Sequence, residues 1–178
     1  MKISSGDYKY RKLIVPEGAR PTTEKVREAV FSMVRDWIPD AVALDLFAGS
    51  GALGLEALSR GAAKCYFNEG DRRSYKVLLQ NIDNCKASDN AVCFNADFRN
   101  CLARIDETLD VVFLDPPYEA GYYEECFELL EEYKLMEEGS IVVAEHNNDN
   151  ILPERFGSFV RFKEKKYGTI GVSIYIME

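Results

Sequence analysis

The sequence predicts an α/β protein with a doubly wound, mostly parallel sheet of seven strands, helices on both faces and an antiparallel last strand. A glycine-rich turn directly follows the first strand and opens a helix. Two alternating runs near the end, joined by a turn at Gly168, indicate an antiparallel hairpin at one sheet edge. Continuous apolar runs, typical of buried parallel strands, supply the other five strands: 42–47, 64–68, 91–95, 111–114 and 141–144.

Length and composition favour a single domain over residues 1–178, with residues 1–20 as a basic N-terminal arm. No apolar run approaches the ~20 residues that span a bilayer, and no signal peptide is evident. The five cysteines form no C-x-x-C pair, and there is one histidine. We therefore expect a cytoplasmic monomer with reduced thiols in its core, no membrane contact and no metal site.

The net charge of −8 is unevenly distributed. Residues 1–27 carry seven basic and three acidic side chains, whereas the rest carries fifteen basic and twenty-seven acidic ones. Such an arm can contact phosphates while the acidic body limits non-specific binding to nucleic acid. The alternative is an ordinary solvated, mixed-charge leader.

The first helix is predicted after Thr22 and Thr23, either of which can cap it, and it ends at Pro39. Arg20 and Arg27 lie at its entrance. They face either a phosphate, the carboxylate of an amino-acid cofactor or simply solvent.

The glycine turn at 49–54 matches G-x-G-x-x-G between a strand and a helix, which indicates a nucleotide-like cofactor. A pyrophosphate prefers a helix N-terminus. Asp45, inside the preceding strand, suits the sulfonium and ammonium groups of S-adenosylmethionine better than a pyrophosphate. Asp45 can also hold the shape of the glycine loop, and both roles are compatible.

Acidic residues follow the next two strands. Glu69 lies about 20 positions past the glycines, where a carboxylate accepts from the ribose hydroxyls. Asp71 is expected to cap the next helix. Asp97 either accepts from the adenine amino group, with Phe98 against the ring, or caps a short helix. The predicted cofactor contacts are Asp45, Phe47, Ala48, Gly49, Ser50, Gly51, Gly54, Glu69, Gly70, Asp97 and Phe98.

The fourth strand ends in Asp115, Pro116, Pro117 and Tyr118, the predicted catalytic residues. Two prolines cannot extend a central strand, so a rigid elbow follows Asp115 at the carboxyl edge where ligands bind. The carboxylate and the Pro116 carbonyl are acceptors that can hold both hydrogens of a planar NH2 group. Tyr118 can stack on the base. The alternative is a proline-rich turn with Tyr118 in packing; His146 receives no role.

Three segments, residues 20–31, 45–59 and 115–118, together resemble the RsmD family. That family methylates a guanine N2 of bacterial 16S rRNA within the assembled small subunit. The resemblance implies a Rossmann-like class I methyltransferase that uses S-adenosylmethionine. The sequence departs from the family pattern at two places: Tyr10 stands where glycine is usual, and Thr169-Ile170 replaces the usual acidic-threonine pair. Both departures concern RNA docking more than the chemistry. The expected RNA contacts are Lys9, Arg11, Lys12, Arg20, Thr23 and Arg27.

Three rival functions remain. A DNA amino-methyltransferase generally needs an added target-recognition region, for which 178 residues leave no room. A non-catalytic RNA-binding module would not need the intact glycine loop. An NAD oxidoreductase would leave the residues 115–118 unexplained.

Overall fold

The computed structural model describes residues 1–19 and 22–178. Its sheet has eight strands in the order β3-β2-β1-β4-β5-β8-β7-β6. The strands are β1 (Val42–Asp45), β2 (Lys64–Asn68), β3 (Ala91–Phe94), β4 (Leu109–Leu114), β5 (Met136–Asn147), β6 (Arg155–Phe156), β7 (Phe159–Tyr167) and β8 (Ile170–Met177). The predicted class is confirmed. The predicted count of seven is wrong by one, because the two-residue β6 pairs with β7 at the outer edge.

The first five strands are parallel, and β1 lies between β2 and β4. The last hairpin is antiparallel, as predicted, but β8 inserts between β5 and β7. Burial explains this order. Residues 171–175 of β8 are all buried, whereas β7 exposes a lysine-rich stretch over residues 163–166 that suits a position near the sheet edge.

Five α-helices cover the sheet: α1 (Glu24–Met33), α2 (Ala52–Ser59), α3 (Arg72–Asn84), α4 (Phe98–Arg104) and α5 (Tyr123–Glu132). Thr23, Asp71 and Asp97 cap α1, α3 and α4 through their side-chain oxygens. This confirms the cap predicted for Asp71, selects Thr23 from the two candidate threonines and agrees with the capping alternative given for Asp97. The first helix ends earlier than predicted, and a 3-10 turn at Arg35–Trp37 leads to Pro39. Val34 ends α1 by leaving helical geometry at φ −107° and ψ 14°, while its N–H still donates to the Val30 carbonyl.

The sheet separates two apolar cores. Residues of α1, α2 and α3 pack on one face around Phe113, and residues of α4 and α5 pack on the other around Val112. All five cysteines are free, and four are buried. Within the described residues, no helix has the length and apolarity needed to cross a bilayer.

The N-terminal arm forms a small antiparallel hairpin closed by a bridge between Lys2 and Lys12. Ile3 and Leu13 turn inward and are buried, which fixes the arm to the core that contains α1 and α2. Gly6 turns the chain with φ +83°, against the last residue of α2. A Cβ there would lie 1.8 Å from the Ser59 carbonyl oxygen, so only glycine fits.

Candidate active site

A cavity of about 790 Å³ opens at the carboxyl edge of the parallel strands. Its size suits a small-molecule ligand. It brings together the glycine loop after β1, the acidic ends of β2 and β3, and the elbow after β4. The predicted residues that line it are Asp45, Phe47, Ala48, Gly49, Ser50, Glu69, Gly70, Asp97, Phe98, Asp115, Pro116, Pro117 and Tyr118.

The first glycine of the loop faces this cavity. Gly49 has φ +55°, and a Cβ built on it would meet nothing within 4 Å. Its N–H donates to Glu69 Oε1 at 3.0 Å, which joins the loop to the end of β2. A ligand can therefore approach the backbone of Gly49 closely.

Gly51 and Gly54 serve packing, and their predicted contacts with the cofactor stay a prediction. Neither lines the cavity. A Cβ on Gly51, at φ +85°, would lie 2.5 Å from Leu78 Cδ1, and one on Gly54 would lie 2.3 Å from Phe67 Cε1. The two glycines let α2 sit against α3 and β2, so they shape the loop that Gly49 presents.

Asp45 is buried beneath the loop, and its Oδ2 accepts from Gly54 N–H at 3.0 Å. This bond confirms that the carboxyl holds the loop. Burial is the main cause that raises the pKa of Asp45 to about 7; the Gly54 hydrogen bond opposes the rise, and the charges of Glu69 and Glu145 add to it. A cation bound in the cavity would favour the carboxylate form.

We expect Asp45 to make the ligand-free protein less stable as pH rises. The folded carboxyl holds its proton up to about pH 7, whereas an unfolded one loses it near 3.8. The contribution is therefore fully present below 3.8 and is lost as pH rises through about 7. Asp45→Asn removes this titration, so its free energy of unfolding relative to that of the native chain should rise by about 2 kcal/mol from pH 5.5 to pH 7. Urea unfolding at the two pH values measures the difference. An equal gap at both pH values would contradict the buried, protonated carboxyl.

Glu69 closes the cavity on the β2 side. Its Oε1 accepts from Gly49 and its Oε2 accepts from Asp71 N–H at 2.7 Å. A carboxylate offers about four acceptor positions, so two hydroxyls can still be bound. The predicted ribose contact stays a prediction. Beside it, the buried Asn68 donates to the Ala96 carbonyl at 2.9 Å, which ties the ends of β2 and β3 together.

Asp97 caps α4 by accepting from Arg99 N–H at 2.9 Å and also pairs with the Arg99 guanidinium at 3.1 Å. Its capping role is confirmed, and its contact with adenine stays a prediction. Phe98 packs 4.9 Å from Tyr122 and 5.4 Å from Phe47, between ring centroids. Sequence reasoning missed Tyr122, which lines the same cavity and whose only sequence signal is an aromatic at a helix start.

Register places Asp115 beside the glycine loop. Asp45 pairs with Phe113 across β1 and β4, so Asp115 lies two residues further along the neighbouring strand. Pro116 is buried and Pro117 is exposed, which sets the direction of the elbow. Residues 115–118 and the glycine turn therefore share one cavity.

The buried Glu145, at the end of β5, orders this elbow and was missed as a site residue. Its Oε1 accepts from the Tyr118 hydroxyl at 3.2 Å, and its Oε2 accepts from the Thr22 hydroxyl at 2.7 Å. Its backbone carbonyl accepts from the Tyr123 hydroxyl at 2.7 Å. Glu145 thus fixes the ring of Tyr118 and joins it to the entrance of α1. A carboxylate at a strand end beside that of Asp115 was the available signal.

The predicted RNA contacts fall into different environments. Lys9 and Lys12 are exposed on the arm. Arg11 donates to the Asn84 carbonyl at 2.8 Å, and the Thr23 hydroxyl accepts from Val26 N–H as the helix cap. Arg20 lies outside the described residues.

Arg27 corrects the sequence prediction, because its side chain is fully buried and cannot contact an RNA surface. Its Nε donates to Glu56 Oε1 at 3.0 Å, and Nη2 donates to the Lys2 carbonyl. Glu56, equally buried, also accepts from Ser4 N–H at 3.0 Å and from Arg60 Nε at 2.9 Å. This pair fastens the arm to α2, so Arg27 positions the arm rather than binding substrate.

His146 is structural. It is buried, with Nε2 2.8 Å from the Ser173 hydroxyl and Nδ1 2.9 Å from the Asn147 carbonyl. Among residues 1–19 and 22–178, no group of three or more histidine, cysteine or acidic side chains could hold a metal ion.

The strand order, the glycine loop and the shared cavity define a class I methyltransferase fold. The family model described as "Conserved hypothetical protein 95" matches residues 1–176. This chain belongs to that family, the RsmD family of rRNA methyltransferases.

Relatives match over nearly their full length. The "Ribosomal RNA small subunit methyltransferase D" of Escherichia coli K12 is 38% identical over 180 residues, covering 100% of this chain and 90% of that protein. Its Haemophilus influenzae counterpart is 35% identical over 98% and 93% of the two chains.

Solved structures agree. The E. coli protein YhhF has a TM-score of 0.90 at 39% identity and covers 100% of this chain and 98% of its own. An RNA methyltransferase from Salinibacter ruber in complex with S-adenosyl-L-homocysteine, at 17% identity and a TM-score of 0.65, supports the fold alone; it covers 89% and 95%.

Proposed function

We propose that this protein transfers a methyl group from S-adenosylmethionine to the exocyclic N2 of a guanine in 16S rRNA, within the assembled small subunit. The observation that carries the proposal is the single cavity shared by the glycine loop and Asp115, Pro116, Pro117 and Tyr118. A cofactor methyl and an aromatic amine need to meet in such a space.

The cavity residues suit a cationic cofactor. Five carboxyl side chains of the described residues line it, among them Asp45, Glu69 and Asp97, and Gly49 leaves its backbone open to a ligand. Glu69 would accept from the ribose hydroxyls, and Asp97 with Phe98 would hold the adenine. When bound, S-adenosylmethionine supplies an activated methyl group, so no metal or covalent nucleophile is required.

The elbow after β4 would hold the substrate amine. The Asp115 carboxylate and the Pro116 carbonyl accept its two hydrogens, which directs the nitrogen lone pair toward the methyl group. The base is drawn out of its stack into the cavity, as base-modifying enzymes require. The Tyr118 ring, held through its hydroxyl by Glu145, packs on the base. After transfer the amine proton leaves to Asp115 or to water, and positioning supplies much of the rate.

The substrate assignment rests on the family and on charge. The E. coli and H. influenzae relatives are named small-subunit rRNA methyltransferases. The exposed Lys2, Lys9 and Lys12 give the arm a small basic surface on an otherwise acidic chain. Few phosphate contacts bind free RNA weakly at physiological salt, which favours a preassembled particle.

The test supplies purified protein and labelled S-adenosylmethionine to small subunits that lack the modification, to 16S rRNA freed of protein, and to duplex DNA. We expect label on small subunits, and nucleoside mass spectrometry should identify N2-methylguanosine. Transfer to DNA alone would support the rival DNA methyltransferase. Cofactor binding without transfer to any of the three would support a non-catalytic module.

A further inference from the structure

The second half of the arm, from the end of its turn at Tyr10 to Ile14, presents a row of exposed side chains toward solvent. Tyr10 is 65% exposed and Ile14 is 46% exposed, with the exposed Lys12 between them. Arg11 and Leu13 alternate with these three and point the other way, Leu13 into the core. We call Tyr10, Lys12 and Ile14 the arm row.

Tyr10 is held in a conformation that costs free energy. Its φ is +71°, in the left-handed region that non-glycine residues avoid. Such strain, retained at an exposed position, points to a use for the side chain. The ring gains nothing from the apolar core, since most of it faces water.

Cations surround this ring. The ammonium of Lys9 lies 4.9 Å from the ring centroid, and that of Lys2 lies 5.3 Å from it. An exposed aromatic flanked by cations is the arrangement that proteins use to bind single-stranded nucleic acid, where bases stack on rings and cations meet phosphates. The positive charge of these lysines would repel a basic partner protein.

The arm row leads to the candidate active site. Val15 and Pro16, which follow it, line the cavity. The buried Asn81 pins this end, because its amide exchanges two hydrogen bonds of 2.8 Å with Ile14 and donates a third to the Ser50 carbonyl of the glycine loop. Tyr10 thus lies five residues before Val15, which is at most about 17 Å along the chain from the cavity.

We propose that the arm row is a docking track for an unpaired stretch of substrate RNA beside the target nucleotide, with Tyr10 stacking on a base and Lys9 and Lys12 contacting phosphates. This inference rests on the proposed function and deepens it. It concerns a contact outside the cavity, so it predicts effects on substrate binding and none on the chemical step.

The decisive variant is Tyr10→Gly, because glycine adopts φ +71° without strain and the arm is expected to stay folded. With small subunits as substrate, KM should rise about 5- to 150-fold, the range that corresponds to loss of one stacked base, while kcat and S-adenosylmethionine affinity stay unchanged. Tyr10→Phe keeps the ring and should behave like the native chain. Tyr133→Ala, which removes an exposed tyrosine at the end of α5, is the matched control.

An unchanged KM in Tyr10→Gly, with the native chain active, would overturn the docking track and leave the proposed function intact. Absence of transfer by the native chain would reject the proposed function and this inference together. Ultraviolet crosslinking of the native complex gives a second measurement. A nucleotide adduct on Tyr10 supports the track, whereas an adduct only to a ribosomal protein would overturn it in favour of a protein contact.

Discussion

Replacement of Asp115 by alanine is expected to lower kcat for methyl transfer about 10²- to 10⁴-fold, the range typical of one positioned proton acceptor. The carboxylate lies at the end of β4 beside the glycine loop, where it would fix the amine lone pair in line with the methyl group. Single-turnover transfer to small subunits measures the chemical step. Calorimetry with S-adenosyl-L-homocysteine should show unchanged cofactor affinity.

Two controls separate this role from a general effect of charge. Glu119→Gln removes an exposed carboxylate from the same cavity and should leave kcat unchanged. Asp110→Asn alters the side chain that accepts from Val42 N–H at 2.8 Å, near the opposite end of β4. Native-like turnover in Asp115→Ala would reject the carboxylate as the amine acceptor, and a parallel loss of cofactor affinity would make it a cofactor ligand instead.

Replacement of Arg27 by methionine should lower the free energy of unfolding by about 3–5 kcal/mol, the cost of removing one partner from a buried ion pair. Glu56 would keep its charge in a fully buried position, and the arm would lose the guanidinium that binds the Lys2 carbonyl. Urea unfolding monitored by circular dichroism measures the loss.

Arg60→Met provides the matched comparison, because Arg60 pairs with the same Glu56 carboxylate but is 21% exposed. Its loss should cost much less, since water can partly replace it. If Arg27→Met proved as mild as Arg60→Met, the anchoring role of Arg27 would be wrong. A lowered RNA affinity with unchanged stability would instead restore the surface contact that the sequence predicted.

Most of the fold was accessible from local patterns. Continuous apolar runs predicted β1 to β5, since a strand buried on both faces needs apolar side chains throughout. Threonine and aspartate ahead of helical patterns predicted the caps of α1, α3 and α4, because capping is a contact over two or three residues. The two-residue β6 was missed, as its pairing depends on β7 and not on its own composition.

In the candidate site, too, local patterns predicted some features and missed others. The residue order of the glycine turn and of 115–118 sufficed to predict a shared cavity, because parallel strands deliver their carboxyl ends to one edge. The sequence did not predict which polar side chains are buried or which partners they find far along the chain. Arg27 meets Glu56 across 29 positions, Asn81 meets the arm across 67, and Glu145 meets Thr22 across 123.

The sequence alone was therefore enough to predict the residues of the candidate site, because residue type and strand position suffice to place a carboxylate and a carbonyl at the cavity edge. The tertiary fold, in contrast, was needed to show which polar side chains hold the surrounding segments in place. A charged group looks the same in the sequence whether it faces water or a partner, and packing alone decides which of the two it meets.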